Sequence, residues 1–175
     1  VLTQTFDFGG STMTLILGYV LNAKSGANTI TLASNYGSNQ FGYLFSIGEI
    51  SGVTGVDVSA SAYNNATTSP WTGASITTNY ATEMLISIFG TPNSSFSNPI
   101  SIGSPFTAFG TGDIGASAAA SAYDVVTSVG SYSSTVTQSG STIFGNIILG
   151  FYQTSGGGDD WYSPSIVATL HGMRG

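Results

Sequence analysis

The sequence predicts an all-β fold, a jelly-roll-like β-sandwich in a single domain, with a terminal strand that a neighbouring subunit could receive. Three observations predict it. Val, Ile, Thr, Tyr and Phe dominate the apolar segments, and Gly, Ser and Asn clusters separate them. The segments recur roughly every 8–14 residues, the rhythm of a sandwich rather than of βαβ units. Some segments are apolar throughout and others alternate, as expected when inner strands are covered on both faces and the rest on one.

Strands are expected near 2–8, 12–22, 27–34, 40–51, 56–63, 73–79, 82–90, 105–109, 114–127, 131–138, 142–152 and 164–170. In the first, Leu2, Phe6 and Phe8 fall on one face, and Val1, Thr3, Thr5 and Asp7 on the other. Gly9-Gly10 follows as a hinge. Met13 to Leu21, Met84 to Phe89 and Ile143 to Tyr152 are continuously apolar and are placed centrally. Thr29 to Leu32 and Val56 to Ala62 alternate, so one of their faces can meet solvent. Residues 115–122 pit the helix propensity of alanine against an Ala/Ser alternation. Because Tyr123 to Thr127 continues as a strand, the strand reading is preferred, and its small side chains would let another layer approach closely. Residues 154–160 form a Gly-rich breaker. The chain therefore divides into 1–10 (donor strand and hinge), 11–153 (sandwich) and 154–175 (breaker and C-terminal strand).

Only 6% of residues are charged, and Lys24 and Arg174 are the only basic side chains besides His171. An ordinary soluble domain carries roughly 25%. Solubility must come from hydroxyls, amides, attached sugars, or burial against other copies, which points to an extracellular or cell-surface component. A net charge of -6 leaves no basic patch for nucleic acid or acidic lipid. The longest apolar segments are too short to cross a bilayer as helices. Cysteine is absent, which removes disulfides, thiol catalysis and thiolate metal sites. The start at Val1, with no export signal before it, reads as a mature, processed chain or a fragment.

Little in the chain suits catalysis. His171 lies near the C-terminal end, a poor place for the rigid imidazole of a triad. Glu49 and Glu83 could form a glycosidase pair, but a Glu in such a strand more often faces solvent or anchors a turn. Asp113, Asp159 and Asp160 are expected in Gly-rich loops that could hold Ca²⁺, yet no D-x-D-x-D-G register is present. No cofactor is expected. Residues 110–115 match G-x-G-x-x-G, but Asp113 would repel a pyrophosphate and no βαβ pattern surrounds the motif. Asn65 and Asn93 head N-x-S/T sequons in expected loops and are the candidate glycosylation sites. Trp71, Trp161, Tyr162 and Tyr63 lie in or beside loops, where they could stack on sugars or pack at a subunit contact.

Four segments taken together, Ser25 to Leu32, Ile47 to Val53, Val56 to Ala60 and Ala81 to Ile86, resemble β-sandwich modules of secreted prokaryotic surface and phage-associated proteins. In those modules a "G-x-x-T-I-T" strand precedes an "E-x-S-G-V" strand and a "D/E-L-L-I" strand. The resemblance covers roughly residues 15–152. It departs at the N-terminus, where little beyond Val1 to Phe8 precedes the first motif. A sheet short of a strand leaves unpaired backbone that another subunit's strand can fill. In this the chain is similar to archaeal bundling pili and to TasA-like fibre subunits joined by strand exchange.

The expected function is structural, a homopolymeric subunit of an extracellular filament, pilus or surface coat, and not an enzyme. Leu2, Phe6 and Phe8 are the first candidates for the subunit contact, and Ile166, Val167 and Leu170 the second. A carbohydrate-binding, adhesive or virion surface module using Trp71, Trp161 and Tyr162 is the alternative, and a glycoside hydrolase comes third.

Overall fold

A computed structural model describes residues 2–8, 11–23, 26, 44–64, 69–91, 100–113, 118–138, 143–154 and 165–171. For 2–8, 11–13, 44–45, 64, 113 and 165–171 it is the backbone that is described. The described residues form twelve strands and no helix: β1 (Leu2–Phe8), β2 (Ser11–Leu17), β3 (Leu44–Glu49), β4 (Gly55–Asn64), β5 (Trp71–Thr77), β6 (Glu83–Thr91), β7 (Ser101–Ile102), β8 (Thr107–Asp113), β9 (Ala118–Val126), β10 (Ser131–Thr137), β11 (Phe144–Tyr152) and β12 (Ser165–His171). All pairings are antiparallel.

Two sheets make a β-sandwich. The larger has the order β4-β11-β6-β9-β8 and the smaller β5-β10-β7. The pairs β4/β11, β5/β10 and β6/β9 are nested in the sequence, and every connection from β4 to β11 except β8 to β9 passes from one sheet to the other. Two further ribbons, β1-β2 and β3-β12, lie outside these sheets.

Side-chain parity shows how the layers stack. Leu85 and Phe89 of β6, with Phe144 and Ile148 of β11, face the smaller sheet and meet Trp71, Ile76 and Val136. The alternate residues Met84, Ile86, Ile147, Leu149 and Phe151 face the other way and pack under Leu15 and Leu17 of β2. On β9, Ala118, Ala120 and Ala122 face inward, while the alternate Ser121 donates to Ser46 of β3 at 3.0 Å. The two ribbons therefore cover the outer face of the larger sheet. Strands β6 and β11 are buried along their length and mostly apolar because both of their faces are covered.

The Ala/Ser segment is a strand, as preferred from its alternation. Its inward-facing Ala118, Ala120 and Ala122 are at most 2% exposed, and larger side chains there would hold the sheets apart. Met13 to Leu21 differs from expectation. Its strand ends at Leu17, Ile16 is 61% exposed, and the chain turns at Asn22 with φ 56°. Asn tolerates that left-handed conformation better than most residues. The expected strand at 27–34 lies outside the described residues, and the two-residue β7 was not expected.

One polar network crosses the core. In β5, Gly73 and Ala74 together oppose Ser134 of β10, so the ladder is broken there. The amide of Ala74 donates instead to Asn146 Oδ1 at 2.9 Å. The Asn146 amide nitrogen donates to Ser87 Oγ at 2.9 Å and to the Ile88 carbonyl at 3.0 Å, and Ser87 meets Ser134 at 2.6 Å. Each of these buried groups finds a partner in the opposite sheet or on a neighbouring strand, which fixes the offset between the sheets.

Candidate functional site

One end of the sandwich brings together two perturbed carboxyl groups, Asp57 and Glu83, and the exposed Tyr80. It is built from the start of β4, the end of β11 and the β5–β6 turn at residues 78–82. A bulge creates it. Leu149 pairs with Ser59 and Phe151 with Val56, so Asp57 and Val58 together oppose the single Gly150. A bulge re-aims side chains, and here it brings Asp57 beside Glu83, the first residue of β6. Gly150 is needed at this point because a β-carbon there would strike Glu83 Oε2.

Glu83 is fully buried. Its Oε1 accepts the Tyr80 amide at 3.2 Å, whereas no donor among the described residues faces Oε2. Burial, followed by the neighbouring Asp57, pushes the Glu83 carboxyl up to about 7, against the opposing pull of the Tyr80 and Asn79 amides. Burial would also raise Asp57. It is outweighed by Asn79, which donates its amide to Oδ2 at 2.7 Å and its side-chain nitrogen to Oδ1 at 2.8 Å, with Glu83 adding to the effect, so Asp57 lies below its ordinary value. The pair therefore divides its protons unequally: Asp57 ionises first, and Glu83 keeps its proton until the pH approaches about 7.

Tyr80 stacks on Tyr152 with ring centroids 4.0 Å apart and planes within 8°. Tyr152 in turn lies against Gly55, where an added β-carbon would come within 2.8 Å of its ring. Gly55, Tyr152 and Tyr80 thus form a pile with Tyr80 outermost and 39% exposed. Tyr152, then burial and the nearby carboxyls, hold the Tyr80 phenol above its ordinary value, so it stays neutral. The turn carrying Tyr80 is anchored by Thr78, whose amide donates to the Gly130 carbonyl at 3.0 Å while its Oγ1 accepts the Gly130 amide at 3.1 Å. Beside the pile, Thr54 Oγ1 accepts the Thr154 amide at 3.0 Å and meets the Thr154 hydroxyl at 3.2 Å.

The residues singled out from sequence are distributed differently. Trp71 is not a sugar platform. It is only 7% exposed, stacked on Phe144 at 5.6 Å and in a T-shaped contact with Phe89 at 5.7 Å, so it packs in the core. It was expected in or beside a loop, and it is the first residue of β5. Tyr63 is exposed on β4. Trp161 and Tyr162 lie outside the described residues, as do Asn65 and Asn93, Asp159 and Asp160.

Glu49 is exposed on β3, in the outer layer, whereas Glu83 faces the sandwich interior, so the central sheet separates them. Glu83 anchors the turn at Tyr80, one of the two ordinary roles expected of it. Residues 110–113 run along β8 rather than forming a phosphate-binding turn before a helix. Asp113 ends that strand, and His171 ends β12. No group of three or more metal-ligating side chains occurs among the described residues. Backbone pairing places Leu2, Phe6 and Phe8 opposite Leu17, Met13 and Ser11 of the same chain. Ile166 and Leu170 pair with Gly48 and Phe45, and Val167 falls at the register shift between Ile166 and Ala168.

Sequence reasoning missed Asp57, Tyr80 and Tyr152 as neighbours of Glu83. Asp57 stands out in the string as the one acid within the alternating Val56 to Ala62 segment, but its partner is set by a bulge. No protein-family model, curated protein or solved structure matches the chain.

Proposed function

We propose that this chain is a structural subunit of an extracellular filament, pilus or surface coat, assembled by exchange of its N-terminal strand. The observation that carries the reading is the placement of β1. Among the described residues it pairs with β2 alone, in a ribbon applied to the outside of the sandwich formed by β4 to β11. An equivalent β1 from a neighbouring copy can replace it with the same seven pairings, so exchange costs no contact in the sandwich core. The outer side of the ribbon and the turn after it expose Ile16, Tyr19, Val20 and Leu21, with Val20 at 79%. An apolar cluster of this kind commonly marks a contact surface. In a chain with only 6% charged residues, burial against further copies is a ready means of covering it.

The sandwich is read as a jelly roll. Nested pairing of β4/β11, β5/β10 and β6/β9 is what a long antiparallel hairpin gives when it rolls into two sheets. The chain departs from that pattern at β8, which pairs with β9 instead of β7. This architecture and the low charge suit the likeness to secreted surface modules and strand-exchanged fibre subunits.

Deletion of residues 1–8 tests the proposal. Electron microscopy and light scattering of the truncated chain should show monomers or amorphous aggregates in place of fibres. Normal polymerisation without those residues would overturn it.

A further inference from the structure

The strand-exchange reading leaves the Tyr80 end of the sandwich without a role, and this end is built as a platform. Stacking on Tyr152 covers one face of the Tyr80 ring, and the residue is still 39% exposed. The ring is held from below by the Tyr152–Gly55 contact and at its backbone by Glu83 Oε1. The turn itself is tied to Gly130 through Thr78. A flat ring fixed in this way binds a flat partner with little loss of side-chain entropy.

The groups beside the ring are uncharged hydrogen-bonding groups or an ionised carboxylate. Asn79 uses one side-chain N–H on Asp57, and among the described residues its second N–H and its carbonyl oxygen remain for a ligand. Thr54 and Thr154 present hydroxyls at the adjacent strand ends. Such a surface favours a partner with an apolar face and a rim of hydroxyls. The overall charge of -6 disfavours acidic sugars.

We propose that this end of the molecule binds a neutral hexopyranose chain, with one sugar ring stacked on the face of Tyr80 opposite Tyr152 and its hydroxyls met by Asn79 and the Thr54–Thr154 pair. The site lies on strands distinct from the N-terminal ribbon, so it could be occupied in monomer and polymer alike.

The test is calorimetric titration of the full chain with cellohexaose, laminarihexaose, chitohexaose and mannohexaose up to millimolar concentration. Alongside it run Tyr80→Ala and Tyr80→Phe, with folding checked by near-ultraviolet circular dichroism and size by light scattering. At least one oligosaccharide should bind. Tyr80→Ala should weaken it about tenfold or more, about 1.4 kcal/mol, while Tyr80→Phe retains it. Binding by none of the four would overturn the proposal, as would binding that survives Tyr80→Ala. A change in self-association in Tyr80→Ala with no saccharide effect would assign the ring to a protein contact instead. Failure here leaves the deletion of residues 1–8 as a separate test of assembly.

Discussion

Glu83 shows how a single buried group can couple this fold to pH. Its folded value of about 7 lies above the ordinary 4.5, so the fold favours its protonated form. That contribution is fully present below about 4.5 and is lost as pH rises toward 7. Asp124, raised by burial, acts in the same direction. Asp57 acts oppositely, stabilising above its ordinary 3.8 and losing that effect as pH falls. Thermal stability should therefore peak near pH 4–5 and decline toward neutrality, by about 1–2 kcal/mol once solvent screening at this end of the molecule is allowed for. Glu83→Gln mimics the protonated acid, since its oxygen can still accept from Tyr80 and its nitrogen can donate to Asp57. Its melting temperature should match the wild type at pH 4.5 and fall less than the wild type's up to pH 7, the remaining decline belonging to Asp124. A wild-type decline that persists unchanged in Glu83→Gln would refute the assignment. At Trp71 the account predicts a core penalty. Trp71→Ala should cost about 3–5 kcal/mol in denaturant unfolding, whereas an exposed platform residue would cost almost nothing.

At the scale of elements, legibility followed burial pattern. Strands β6 and β11 were readable as central because two covered faces leave no polar period, and β9 because alanine and serine alternate. Strand β7 has two residues, too few for any periodicity. Strand β2 was read too long because the apolar string runs on past Leu17, and only the backbone turn at Asn22 ends its direction. The carboxyl pair was not readable because its members meet through the β4 bulge, and a register shift leaves no local mark in sequence. The β5 bulge behaves likewise, since Asn146 is 72 positions from the amide it accepts. Asn146→Ala would strand the Ala74 amide and withdraw the donor to Ser87, so it should destabilise by about 2–4 kcal/mol. Denaturant titration checks this, and a loss below about 0.5 kcal/mol would mean that the network does not join the sheets.

For the whole molecule, the central claim is that β1 of one copy pairs with β2 of the next. Low charge, the outer ribbon and the exposed residues after it all favour contact between copies, but the same seven pairings can form within a chain or between chains. The lack of native cysteine allows a direct discrimination. Thr5 and Thr14 are backbone partners across β1 and β2, so Thr5→Cys/Thr14→Cys places two cysteines at paired positions. After mild oxidation of assembled material and denaturing electrophoresis without reductant, the account predicts a ladder of covalent multimers that collapses to monomer on reduction. Oxidised thiols found only in single chains would contradict it.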